Sequence, residues 1–220
     1  MKNFFRIFAC LLCLIMEKSI QPIFDKNTVE FVTVAAELCG FLERTSLQKR
    51  SDFVDKLLKV LPLLYLKASL LPVCERMEED DVETFVTESD YNQLRSEIAA
   101  LLGDGDDYLE VFLDDMAYSD SPIRQEISEG LADIYQVLKD FICVYQLGLP
   151  QTMNDALAVC RERFAEYWGQ WLVNVMRPLH ELKYSRNASW EEADDSEDIY
   201  EDNCTEEELY EGLNMGEDEP

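Results

Sequence analysis

The sequence has little of what catalytic sites are usually built from. It contains one histidine, His180, and eight glycines among 220 residues. A di-iron bundle needs two Glu-x-x-His motifs and many zinc sites need several histidines, so both kinds of site are excluded. The glycines mostly fall where predicted helices end, and no glycine-rich loop could cradle a phosphate. We therefore predict no catalytic residue, no metal ligand and no cofactor.

Basic residues are also scarce. Nineteen lysines and arginines oppose 46 acids, which gives a net charge of −27. The imbalance is uneven, because fifteen acids lie between Glu191 and Glu219 and no basic residue follows Arg186. A chain of this charge repels phosphate groups, so we expect no nucleic-acid partner.

The seven cysteines are an odd number, and Cys39, Cys143 and Cys160 fall on apolar helical faces. A free thiol in such a position behaves as a small hydrophobic group. Unpaired thiols are typical of reducing compartments, which predicts a cytoplasmic protein. Cys10 and Cys13 have the spacing of a redox motif, but they lie in an apolar run without a βαβ pattern around it.

Residues 1–24 form an N-terminal extension. Lys2 and Arg6 precede the apolar run Ile7–Met16, which resembles a signal sequence but is too short to span a bilayer. No small-x-small cleavage site follows. Three interpretations remain open: translation that begins at Met16, a buried or surface helix, or export. We expect no association with a membrane.

Through residues 25–185, apolar residues recur at steps of three and four, which is the period of an α-helix. We predict an all-α fold, a single bundle of five to six helices without a sheet. The predicted helices begin at Asn27, Asp52, Thr87, Asp106, Ser121 and Thr152. An acidic loop, residues 75–88, precedes the third helix and is long enough to indicate a role.

The stretch from Thr152 to Leu182 should be the spine of this bundle. Leu157, Cys160, Phe164, Tyr167 or Trp168, Trp171, Val175 and Leu179 share one face. Asp155, three residues after Thr152, resembles a capping box. Pro178 lacks an amide hydrogen and should kink or end the helix near Arg177. The preceding helix ends at Gly148 and Pro150, so the two should form a hairpin.

Lys56, Lys59 and Lys67 form the most basic surface of the chain, opposite the apolar stripe of the second predicted helix. They are either a solvated face or a docking face for an acidic partner or for the acidic tail. The tail, residues 186–220, has the composition of a disordered segment. Its residues Leu209, Tyr210 and Leu213 could fold as an amphipathic turn on a partner.

No other cluster points to chemistry. Asp104 to Asp107 resembles the start of an EF-hand loop, but Leu109 and Asp115 stand where glycine and glutamate are needed. The sequence therefore favours a non-enzymatic protein-interaction or regulatory module that binds another protein. Alternatives are a metal- or thiol-dependent enzyme and an exported or membrane-associated protein that uses residues 1–16. The oligomeric state stays open.

Three segments together resemble a bacterial family known as domain of unknown function 5063. They are Asn27–Glu37, Phe53–Pro72, and Tyr167–Trp171 with Arg177–His180. The segment Phe53–Pro72 is the most specific of the three. The resemblance covers roughly residues 25–185 and implies an all-helical cytoplasmic domain. It brings no assigned activity, cofactor or catalytic residue.

Overall fold

The computed structural model describes residues 22–78, 81–110 and 123–185. Within these ranges the helices are α1 Lys26–Leu42, α2 Arg50–Ser69, α3 Glu88–Leu102, α4 Ile127–Gln146, α5 Pro150–Arg163 and α6 Gly169–Tyr184. The predicted all-α bundle is confirmed. The greater part of the N-terminal extension lies outside the described residues, as does the acidic tail with Leu209, Tyr210 and Leu213. None of the described helices is long and apolar enough to cross a membrane.

Four helices form a closed ring, in which α1 packs on α2 and α4, and α6 packs on the same two. The remaining helices, α3 and α5, pack against α4. The rings of Phe31, Phe141 and Trp168 meet at the centre. The ring centroid of Phe31 lies 5.6 Å from that of Phe141 and 6.3 Å from that of Trp168. Trp168 is fully buried and donates its indole N–H to the carbonyl oxygen of Cys160 at 3.0 Å. Of the spine's aromatic residues, Trp168 thus lies in the middle of the core, whereas Phe164 and Trp171 are only partly buried against it.

The spine is not one uninterrupted α-helix. Residues Phe164–Trp168 form a π turn between α5 and α6. The wider turn adds a residue to the helical period, so Trp168 points into the core and Tyr167 is 55% exposed. Pro178 lies inside α6, which continues to Tyr184, so of the two outcomes predicted near Arg177, a kink or an end, the end is wrong.

A small antiparallel sheet corrects the expectation of no strands. It pairs β1 Asp107–Leu109 with β2 Arg124–Glu126. A strand therefore occupies the start of the short helix predicted from Asp106. The predicted cap at Ser121 and Pro122 lies outside the described residues, and α4 begins at Ile127 instead.

The reason for the later start of α4 is a partner distant in sequence. The carboxylate of Asp106 accepts hydrogen bonds from the amide and hydroxyl of Ser128 at 2.7 and 2.6 Å. The backbone carbonyl oxygen of Asp106 accepts a third hydrogen bond, from the amide of Ile127. Asp106 thereby satisfies the first amides of α4, the task that a local capping residue usually performs. Burial raises the pKa of this carboxyl group.

The helix caps were predicted with mixed success. Thr87 and Asp90 form the expected capping box at the start of α3. The cap of α1 is Asp25 and not the expected Asn27. The side chain of Asp25 accepts a hydrogen bond from the backbone amide of Asn27. Arg50 precedes the expected cap Asp52, and α5 begins at Pro150, two residues before Thr152. The pair Thr152 and Asp155 is therefore not a capping box.

Asp155 is used instead to hold the loop between α2 and α3, whose described parts are residues 70–78 and 81–87. Its two carboxylate oxygens accept hydrogen bonds from the backbone amides of Met77 and Glu78 at 2.7 and 3.0 Å. At the other end of the loop, Asp140 accepts from Phe85 N and Val86 N at 2.6 and 2.8 Å. This α2–α3 loop is thus attached at both ends to carboxylates of α4 and α5.

Candidate functional site

The helix α2 has two distinct faces. Its predicted apolar stripe is confirmed, since Leu57, Leu61 and Leu64 are fully buried against the ring of helices. The main contacts of α3 and α5 are with α4, and large side chains on the outer face of α2 remain exposed. This outer face lies between the contacts that α2 makes with α1 and with α6.

The outer face of α2 carries leucines. Leu63, Leu66 and Leu70, the last of which directly follows α2 as its C-cap, are 42%, 52% and 47% exposed and follow each other at steps of three and four. They therefore form one stripe on the solvent side of the helix. Sequence reasoning missed this stripe, although its period was present, because the stronger stripe on the opposite side accounted for the helix. We call Leu63, Leu66 and Leu70 the outer leucine stripe.

The structure places the three predicted lysines beside this stripe. Lys59 lies one turn before Leu63 and forms an ion pair with Asp55. Lys67 Nζ lies 2.6 Å from Glu30 Oε2 on α1, and Lys56 Nζ lies 4.4 Å from the ring centroid of Phe41. Lys56 and Lys67 thus follow the edge of the stripe that faces α1.

The acids beside these lysines remain charged at neutral pH. Hydrogen bonds from Lys183 and Lys59 hold the pKa of Asp55 below its usual value. A hydrogen bond from Lys67 does the same for Glu30. The side chains of Asp55 and Glu30 are 37% and 36% exposed, whereas those of Lys59 and Lys67 are 71% and 22% exposed. An ion pair as exposed as that of Lys59 contributes little to stability, so Lys59 can exchange its partner for another at small cost.

A second concave region lies along α5 and the π turn. A cavity of about 590 Å³ is bounded by the α2–α3 loop, α4 and α5, with Asp140, Phe141, Cys160, Arg163 and Tyr167 in its lining. Its size is in the range of small-molecule sites. Charged side chains of both signs line it, so its composition identifies no ligand.

The thiols of the described residues are poorly suited to nucleophilic chemistry. Burial raises the pKa of Cys160 to about 12 and also raises the pKa of Cys39, Cys74 and Cys143. A thiol with a raised pKa has little thiolate at neutral pH. His180 is exposed and its ring lies 4.6 Å from the ring of Tyr184.

The acidic turn after α3 is already occupied by protein contacts. Asp106 binds Ser128, as described above, and Asp107 forms an ion pair with Arg124. In the ranges that the structure describes, no group of three or more potential ligands is arranged to hold a metal ion.

Comparison with known proteins places the chain in a family. The model described as Domain of unknown function (DUF5063) matches residues 22–185. The chain belongs to this family. This DUF5063 chain is also similar to the crystal structure of protein BF1032 from Bacteroides fragilis, at 58% sequence identity and a TM-score of 0.69. The match covers 76% of this chain and 99% of that one. No curated protein matches the chain.

Proposed function

We propose that this DUF5063 chain is a non-enzymatic protein-interaction module whose docking surface is the outer face of α2. The observation that carries the proposal is the outer leucine stripe. Three leucines, each between 42% and 52% exposed, occupy one side of a helix that the other helices leave uncovered. Full burial of a leucine side chain contributes about 1.5–3 kcal/mol, so covering three half-exposed leucines offers a partner a substantial gain.

The arrangement matches a common mode of recognition. Helices that bind partner proteins present apolar anchors at steps of three, four and seven residues. Leu63, Leu66 and Leu70 have these steps, and the lysines beside them form a polar edge. An apolar centre with a charged rim is the usual composition of a docking site.

The surroundings of the thiols support a binding role over thiol chemistry. Cys39 and Cys160 are each only 2% exposed, and their protonated form is favoured by burial. Cys39, Cys74, Cys143 and Cys160 are free thiols, which supports a reducing cytoplasmic location within this proposal. Cell fractionation tests the location, because recovery of the protein in a membrane or exported fraction would favour the alternative use of residues 1–16.

Site-specific photo-crosslinking tests the docking surface. A photoreactive amino acid is placed at Leu66, and in a control protein at Asn92, an exposed position of α3. In cells that make the protein, the Leu66 position should give a discrete protein adduct and the Asn92 position should not. Adding Leu63→Asp to the first protein should remove the adduct. The same adducts from both positions, or none from Leu66, would contradict the proposal.

A further inference from the structure

The charges around the outer leucine stripe indicate what kind of partner fits it. The helix α2 has no acidic residue after Asp55, whereas Lys56, Lys59 and Lys67 line or extend the stripe. Lys59 precedes Leu63 by one turn and Lys56 precedes it by two, and Lys67 lies between Leu66 and Leu70 in sequence. Beyond Asp55, α2 therefore carries basic but no acidic residues, within a strongly acidic chain.

We propose, on the basis of the proposed function above, that the outer face of α2 binds an acidic amphipathic helix of a partner protein. In this complex the leucines of the partner cover Leu63, Leu66 and Leu70, and its carboxylates contact the lysines. The stripe spans seven residues, or about 10 Å along the helix axis, which two turns of a partner helix can cover.

The lysines are available for such contacts. Lys56 contacts the ring of Phe41, and among the described residues no carboxylate lies within ion-pair distance of it. The side chain of Lys59 is 71% exposed even though it pairs with Asp55. Asp55 has a second partner, Lys183 of α6, so it remains neutralised when Lys59 turns toward another acid.

A second copy of the same face is a poorer occupant. Two copies would bring leucines together, but each would also bring Lys56, Lys59 and Lys67, and the carboxylates beside these lysines, Asp55 and Glu30, are already paired within each copy. Like charges placed close together at an interface disfavour that pairing. An acidic segment supplies the opposite charge, and its attraction acts over roughly the Debye length of 8 Å at physiological salt.

Synthetic helical peptides provide the test on the full-length protein. The first peptide has leucines at steps of three and four with glutamates beside them, and two others have glutamine or lysine in place of the glutamates. Binding is measured by fluorescence anisotropy at physiological salt. The glutamate peptide should bind about tenfold more tightly than the glutamine peptide, and the lysine peptide should bind most weakly.

Matched variants separate local charge from net charge. The double variant K56Q/K59Q should lose about tenfold in affinity for the glutamate peptide. The control R161Q/R163Q, on α5, removes the same charge and should leave the affinity unchanged. Lys67 is left unchanged in these variants, because its ammonium group donates a hydrogen bond to Glu30 of α1. Leu66→Asp should abolish binding of all three peptides, and circular dichroism checks that every variant is folded.

The outcomes distinguish this inference from the proposed function. Preference for the lysine peptide would show that the net charge of −27 governs binding and would overturn the inference. Equal losses in K56Q/K59Q and R161Q/R163Q would do the same. If no peptide binds while Leu66 still crosslinks to a protein in cells, the docking surface stands and the acidic helix is the wrong partner.

Discussion

Two helical glycines differ in what a side chain would meet. At Gly169, directly after the π turn, an added Cβ would lie 2.9 Å from Cε2 of the Phe164 ring, and the Phe164 carbonyl oxygen would be closer still. At Gly40, inside α1, the nearest atom would be Nη1 of Arg44 at 3.8 Å. The same substitution should therefore have opposite effects at the two positions.

Gly169→Ala should lower the free energy of unfolding by roughly 1–3 kcal/mol, because the methyl group overpacks the turn. Gly40→Ala should raise it by about 0.5–1 kcal/mol, since alanine loses less backbone entropy than glycine in a helix. Urea denaturation of the two variants and the unchanged protein measures both values. Two stabilising substitutions would show that the π turn tolerates a side chain at Gly169.

At the scale of the element, backbone amides attach the α2–α3 loop to buried carboxylates of α4 and α5. Asp140 and Asp155 are 7% and 4% exposed, and each carboxylate accepts two successive loop amides. Asn154 adds a third attachment, because its side-chain amide donates to Glu75 O at 2.8 Å. Buried carboxylates with such partners are costly to replace, since the loop amides lose their acceptors.

Removing these attachments should loosen the loop without unfolding the helices. Asp140→Ala should increase amide hydrogen exchange at Phe85 and Val86, and Asp155→Ala should increase it at Met77 and Glu78. Each should cost about 1–3 kcal/mol of stability. The control is Asp81→Ala, which changes an exposed acid of the same loop and should have little effect. Unchanged exchange at the attached amides in the first two variants would contradict this account.

The elements that the sequence predicted are those whose causes are local. The buried stripe of α2 and the capping box of Thr87 and Asp90 each depend on spacings within a few residues. The elements that it missed depend on partners distant in sequence. The start of α4 depends on Asp106, which lies 22 residues before Ser128, and the three-residue strands have too few residues to show alternation.

The candidate site follows the same division. The positions of Lys56, Lys59 and Lys67 on one side of α2 follow from helical spacing alone. The exposure of the outer leucine stripe does not follow from helical spacing. It depends on the packing of α3 and α5 against α4. The period of Leu63, Leu66 and Leu70 predicts a shared face, but only the ring of helices shows that this second apolar face remains outside.

At the scale of the whole molecule, net charge is the property with the largest expected effect. Like charges on a folded chain repel one another, and dissolved salt screens this repulsion. The fifteen acids between Glu191 and Glu219 account for more than half of the net charge of −27. All six described helices, in contrast, lie within residues 22–185, the range of the family match.

A chain truncated to residues 22–185 should therefore melt at a higher temperature than the full-length chain at low salt. The difference should shrink as salt is added, because screening removes the repulsion that the truncation removes. For a chain of this size each kcal/mol corresponds to about 2–4 °C in Tm, which calorimetry resolves. A full-length control with glutamine at the fifteen acidic positions should behave as the truncated chain does, since it removes charge without shortening the chain. A truncated chain that melts at a lower temperature at every salt concentration would show that the removed segments stabilise the helices, and that their charge is not the dominant effect.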